Sequence, residues 1–152
     1  MSLNTLNGVL QDNEGYIWMA TWNGLEKFDG YSFKNYKTYP TDKVKLQYNR
    51  LVNLQLGGNQ MLVCQRYDRR VYLFDIRREC FEDVFVYHPE VKLCTAASKI
   101  ITLPNGMVWI VGTNGDLWRI DCFRYKDKGG LVYLPTHSDA ERKRLVFTVT
   151  LD

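Results

Sequence analysis

Two windows of the chain share one order of apolar and polar positions: residues 15–30, GYIWMATWNGLEKFDG, and residues 106–121, GMVWIVGTNGDLWRID. Each starts on glycine, passes through four apolar residues without alternation, reaches Asn-Gly, and ends on a short amphipathic stretch closed by Asp. Trp18 recurs as Trp109, Asn23-Gly24 as Asn114-Gly115, and Asp29 as Asp121. Between them lies a third version, NQMLVCQRYDRRVYLFD, in which residues 61–64 form the apolar run, residues 68–70 replace the turn, and Phe74-Asp75 close the unit. Asp29, Asp75 and Asp121 are then spaced evenly at 46 residues. A repeat of about 45 residues marks stacked supersecondary units, each of which buries its apolar faces on its neighbours and cannot do so alone.

The pattern predicts the elements of each unit. The segments before the glycine, NGVLQDNEG and KIITLPNG, read as a short strand and a tight turn built from residues that form side-chain turns or tolerate positive φ. An apolar run without alternation reads as a strand buried on both faces. Asn-Gly predicts a two-residue hairpin turn with positive φ values, and LEKFD or DLWRID supplies a third strand. The alternating YSFKNYKTY adds an outer fourth. Four antiparallel strands per unit describe a blade of a β-propeller. Helical solenoids of similar period need apolar residues three and four apart, and these windows lack them. The expected fold is therefore all-β, a β-propeller fragment of about three four-stranded antiparallel blades: residues 6–41, 50–88 and 98–134, after a leader at 1–5. Residues 146–152, within RLVFTVTLD, read as the start of a fourth blade. Ser138 and Glu141 have capping-box spacing, although a solvated loop is the simpler reading there.

Composition narrows the function classes. A chain of 152 residues with 45% hydrophobic content can bury a core, and 14% aromatic content suits half-buried strands and binding surfaces. The net charge of +3 arises from 20 basic and 17 acidic residues that are largely interspersed, so no strong field exists to draw nucleic acid or anionic lipid. No apolar run reaches the roughly 18 residues of a membrane span. MSLNTLNGVL lacks a signal-peptide pattern, and Met1-Ser2-Leu3 reads as an expression leader on a segment of a longer protein. Cys64, Cys80, Cys94 and Cys122 have no CxxC spacing and only His88 and His137 beside them, which argues against zinc. Cys64 and Cys122 read as buried thiols, and Cys80 and Cys94 are able to pair in an oxidising compartment.

The residues LQDNEGYIWMATWNGLEKFDGYSF resemble the two-component regulator propeller repeat. Asp12, Gly15, Ile17-Trp18, Thr21, Gly24-Leu25, Phe28 and Asp29-Gly30 follow its pattern in order, and Trp109, Gly112-Thr113, Gly115 and Asp121 repeat much of it. The middle unit departs, lacking the tryptophan, Gly-Thr and Gly-Leu. The resemblance implies the periplasmic sensor region of a Bacteroides-type hybrid two-component histidine kinase. It further implies recognition of an oligosaccharide or other small ligand, no catalysis by this segment, and signalling by blade or subunit rearrangement in the full receptor.

No Gly-x-Ser-x-Gly, His-Glu-x-x-His or phosphate-cradling glycine loop is present. Asp12 and Glu14 read as turn formers, since a calcium loop needs further oxygen ligands. No cofactor or metal is expected. Loops between second and third strands open on one end of a propeller, where ligands dock. They place Trp22, Tyr67, Arg69, Arg70 and Asn114 as candidate ligand-binding residues, an aromatic and guanidinium set suited to a sugar ring with an acidic group. A solvated, charge-mixed loop is the plainer alternative. Other functional readings are a fragment of a propeller glycosidase or lyase, with its acid and base on other blades, and a protein-interaction scaffold. Uncovered blade faces predict self-association.

Overall fold

The computed structural model describes residues 6–37 and 49–135. Twelve strands form three four-stranded antiparallel sheets, each a meander in sequence order. The first holds β1 (Leu6–Gln11), β2 (Ile17–Thr21), β3 (Gly24–Phe28) and β4 (Phe33–Tyr36). The second holds β5 (Leu51–Leu56), β6 (Met61–Arg66), β7 (Val71–Asp75) and β8 (Cys80–Glu82). The third holds β9 (Ala97–Thr102), β10 (Met107–Gly112), β11 (Leu117–Asp121) and β12 (Leu131–Leu134). Between the second and third sheets lies a 3-10 turn, Val84–Tyr87, capped by the Asp83 carboxylate on the Phe85 amide. The blade architecture read from the repeat is the one observed. The leader, the fourth-blade start and the Ser138–Glu141 capping box lie outside the described residues.

The three aspartates at 46-residue spacing share one job. Each ends or follows a third strand and turns the chain toward the fourth: Asp29 accepts the Tyr31 and Ser32 amides, Asp75 the Arg77 and Arg78 amides, and Asp121 the Phe123 amide. The Ser32 and Tyr31 amides hold the Asp29 carboxyl below its usual range. Such side-chain turns explain why the repeat keeps Asp here.

The hairpins after β2 and β10 differ from the expectation. Positive φ is confined to Gly24 (109°) and Gly115 (90°), while Trp22, Asn23, Thr113 and Asn114 keep negative φ. The turn is thus closed by a glycine bulge rather than built from two left-handed residues. The reason is steric: a bulky residue such as Trp22 avoids left-handed φ, so the glycine absorbs the reversal. In the second sheet Arg69 takes this role, at φ 68°.

The chain divides into two compact units. The first comprises the first two sheets without residues 57–59; the second comprises residues 57–59 and those from 83 onward. In the first unit Trp18, Ala20 and Leu25 of one sheet pack on Leu51, Leu54, Leu62, Cys64 and Phe74 of the other. Trp18 is fully buried, its ring 5.3 Å from that of Phe74 and 6.0 Å from that of Tyr36. Such tilted aromatic pairs contribute about 0.5–1.5 kcal/mol each beyond area burial. At the outer edge Glu79 accepts from Tyr36 Oη (2.5 Å) and pairs with Lys34 (3.0 Å) and Lys27 (3.6 Å).

In the second unit β10 buries Val108 and Ile110 but leaves Met107, Trp109 and Val111 half-buried. The expectation that Trp109, like Trp18, fills a doubly covered strand is therefore corrected. It holds the same register, opposite Arg119 as Trp18 is opposite Lys27, but part of its surface stays exposed. The core of this unit lies on the other face, with Ile100, Trp118, Ile120 and Leu131. All four cysteines are thiols, and burial pushes the Cys122 thiol up to about 11.

Candidate functional site

Two kinds of turn stand at opposite ends of each sheet, and they differ chemically. The β1–β2 turn is internally saturated. Asp12 Oδ1 accepts the Glu14 amide (2.9 Å) and the Tyr16 amide (3.0 Å), and Oδ2 accepts Trp18 Nε1 (2.8 Å). Asp12 is buried, and its oxygens are occupied by the turn and the indole. This geometry bears out the turn-forming role read for Asp12. Among the described residues no cluster of His, Cys, Asp and Glu could hold a metal.

The β2–β3 and β6–β7 turns instead present side chains outward. Trp22 is 46% exposed and Tyr67 58% exposed. Between them lies Arg50, which directly precedes β5. Its guanidinium carbon sits 4.3 Å from the Trp22 ring centroid and 5.5 Å from that of Tyr67. The arrangement is fixed from below: the Tyr67 amide donates to Arg50 O (2.8 Å), and Asn7 Nδ2 donates to Leu51 O (2.8 Å). Trp22 is held by a turn in which Thr21 Oγ1 accepts the Asn23 amide and donates to Gly24 O. Arg50 is itself half-buried, and a guanidinium held over ring faces retains N–H donors that the rings do not use. Among the described residues no carboxylate pairs with Arg50.

The structure thus joins two of the five expected residues, Trp22 and Tyr67, through a third that the sequence did not single out. Arg50 lies outside the repeated motif; its signal was position alone, because the residue entering an inner strand sits at the same end as the β2–β3 turn. Arg69 is exposed and serves the turn through its backbone, its carbonyl accepting Gln65 Nε2 (3.2 Å). Arg70 approaches the Tyr72 ring at 5.9 Å, alongside Arg66 at 4.7 Å. Arg66 also pairs with Asp68 at 2.5 Å.

Asn114 belongs to the second unit, where its side chain shapes a local network. It accepts the Asp116 amide (3.1 Å) and donates to Asp116 Oδ2 (3.0 Å). That buried carboxylate also accepts from Lys92 (3.0 Å) and Tyr133 Oη (2.9 Å), and Lys92 O accepts Trp118 Nε1 (2.8 Å). Asp116 raises the Lys92 pKa. Every polar group of this network meets another, so it reads as a fastening of the sheet's outer strands. Sequence reading missed it because Lys92 lies outside any repeat element.

No family model matches the chain. Over 46 residues it is 37% identical to Histidine kinase P4 of Formosa agariphila, covering 30% of this chain and 3% of that protein. Two solved structures of an extracellular domain from B. thetaiotaomicron share its fold. One, described as from a hybrid two-component system, superposes with a TM-score of 0.60 at 22% identity over 90% of this chain; the other, described as from a one-component system, with 0.59 at 23% over 87%. The chain spans 16% of the length of each. Its fold is the one found in those extracellular domains.

Proposed function

We propose that this chain is part of the extracytoplasmic sensory propeller of a two-component receptor, and that it works by binding rather than catalysis. The observation carrying this reading is the Trp22–Arg50–Tyr67 constellation, two exposed rings with a guanidinium held between them. Aromatic faces stack on the C–H faces of a sugar ring, while a guanidinium takes a carboxylate or sulfate through paired hydrogen bonds. The ligand class favoured is therefore an oligosaccharide bearing an acidic group. The fold shared with extracellular domains of two-component systems supports the sensory role and the location outside the cytoplasm. Among the described residues no helix is long and apolar enough to cross a membrane.

Calorimetric titration with matched acidic and neutral oligosaccharides tests this. Heat for the acidic members only, lost in both Trp22→Ala and Arg50→Ala, is the expected result. Equal binding by the Arg50→Ala variant, or turnover of any sugar, sinks the reading.

A further inference from the structure

The first unit contains a worked example of how one sheet receives another, and two partly exposed faces among the described residues carry its two halves. In the example, one side contributes Trp18 with Ala20 and Leu25 in the same face, and Lys27 opposite Trp18. The other contributes Phe74, edge to face with Phe81 at 4.9 Å, and a turn between them bearing Glu79, which Lys27 reaches at 3.6 Å. Lys27 is also held over the Tyr16 ring at 4.2 Å.

Strand register finds the first half again in the third sheet. Trp109 stands for Trp18, Val111 for Ala20, Leu117 for Leu25, and Arg119, opposite Trp109, for Lys27. There Trp109 and Val111 are only half-buried. Arg119 Nε is shielded from solvent and has no hydrogen-bond partner among the described residues. The half-buried Trp109 and Val111, more than the shielded N–H, are the surface this face leaves for a partner. Lys27, in the equivalent place, has its carboxylate.

The second half recurs on the face of the first sheet opposite Trp18. Phe28 and Phe33 stack at 4.6 Å in the cross-strand place of Phe74 and Phe81. Phe33 is 45% exposed, and Val9 and Leu6, on the same face at the far edge of the sheet, are exposed as well. The turn between the two phenylalanines carries the exposed Asp29 carboxylate and Tyr31, 97% exposed, at the position of Glu79 counted back from the paired phenylalanine. An anionic group and a bare aromatic ring are what a guanidinium takes.

We propose that the Trp109–Arg119 face of one chain docks on the Phe28–Phe33 face of a second copy, repeating between molecules the contact that Trp18 and Lys27 make within one. Trp109 packs on the phenylalanine pair, and Arg119 meets Asp29 and Tyr31. The two patches are different surfaces, so the association is head to tail.

Sedimentation velocity of the 152-residue chain from about 1 μM to about 1 mM tests it, because weak to moderate association is visible in that range. Wild type is expected to associate with concentration. Trp109→Ala and Phe33→Asp should each weaken this roughly thirtyfold or more, as loss of a central aromatic anchor does. Mixing the two variants should restore a 1:1 complex, since each retains the half the other lacks. Arg119→Glu and Val9→Asp, which leave the packed aromatics in place, serve as the second pair should either first variant lose its far-ultraviolet β spectrum. A wild type monomeric throughout, as when a further sheet of a longer protein is the true occupant, overturns the proposal. So does a folded mixture that stays monomeric, or variants that associate as wild type does.

Discussion

Trp18 and Trp109 are the same residue in the same strand, at the same register, opposite a basic residue and followed by Asp after the next turn and strand. Trp18 is sealed and Trp109 is half-open. Their turns differ too. Asp12 accepts the Trp18 indole, whereas Leu103, at the equivalent place before the strand, has no side-chain acceptor to offer. A repeat therefore specifies the strand and its register, but the value of a side chain in it depends on what closes over the face.

The sharpest way to break the comparison is to truncate both tryptophans. Trp18→Ala should cost about 3–5 kcal/mol, as a cavity in a packed core does, and Trp109→Ala only about 1 kcal/mol in dilute solution, where its face is half-open. Urea unfolding followed by circular dichroism reads both, and equal losses would mean that Trp109 is sealed as well. Next in size is Asp12→Ala, expected to cost about 2–3 kcal/mol because it strips a charged acceptor from two amides and a buried indole.

Glu79 sharpens the comparison from the other side, as the carboxylate that the third sheet lacks. Hydrogen bonding from Tyr36, then Lys34, lowers its pKa from 4.5. A depressed carboxyl contributes stability that is present above its unfolded pKa and lost as pH falls through the folded one. Melting temperature should thus drop on acidification below about pH 4.5 and do so less in Glu79→Gln, which at neutral pH costs about 1 kcal/mol. Tyr36 runs the opposite way. Burial, then the bond to Glu79, raises its pKa above 10.0, so its contribution is complete below that value and fades as pH rises through the folded pKa. Tyr36→Phe should flatten that alkaline limb. The smallest effect on stability is expected from Arg50→Ala, under about 1 kcal/mol by thermal melting, since its contact with two exposed rings is a surface cation–π pair.

Within the candidate site, Trp22 and Tyr67 were legible because they occupy turn positions in a recognisable repeat, where a large aromatic has no packing role to explain it. Arg50 was not, since nothing in its neighbours QYN or LVN marks it; only the approach of the β5 entry to two turns gives it a place. Asn114 shows the reverse case. Its turn position was correctly read, and its side chain is engaged by Asp116, whose carboxylate also takes a lysine 24 residues upstream of it, a closure that no local pattern records.

The sequence by itself determined the three sheets, their internal register and the aspartate-capped turns, because these depend on alternation, glycine placement and side chains bonding a few residues away. Which faces are sealed, and which cation finds a carboxylate, was decided only by the tertiary structure. Burial and pairing belong to two surfaces at once, and the partner surface lies some 45 residues off, as with Lys34 and Glu79, or is not in the described chain at all.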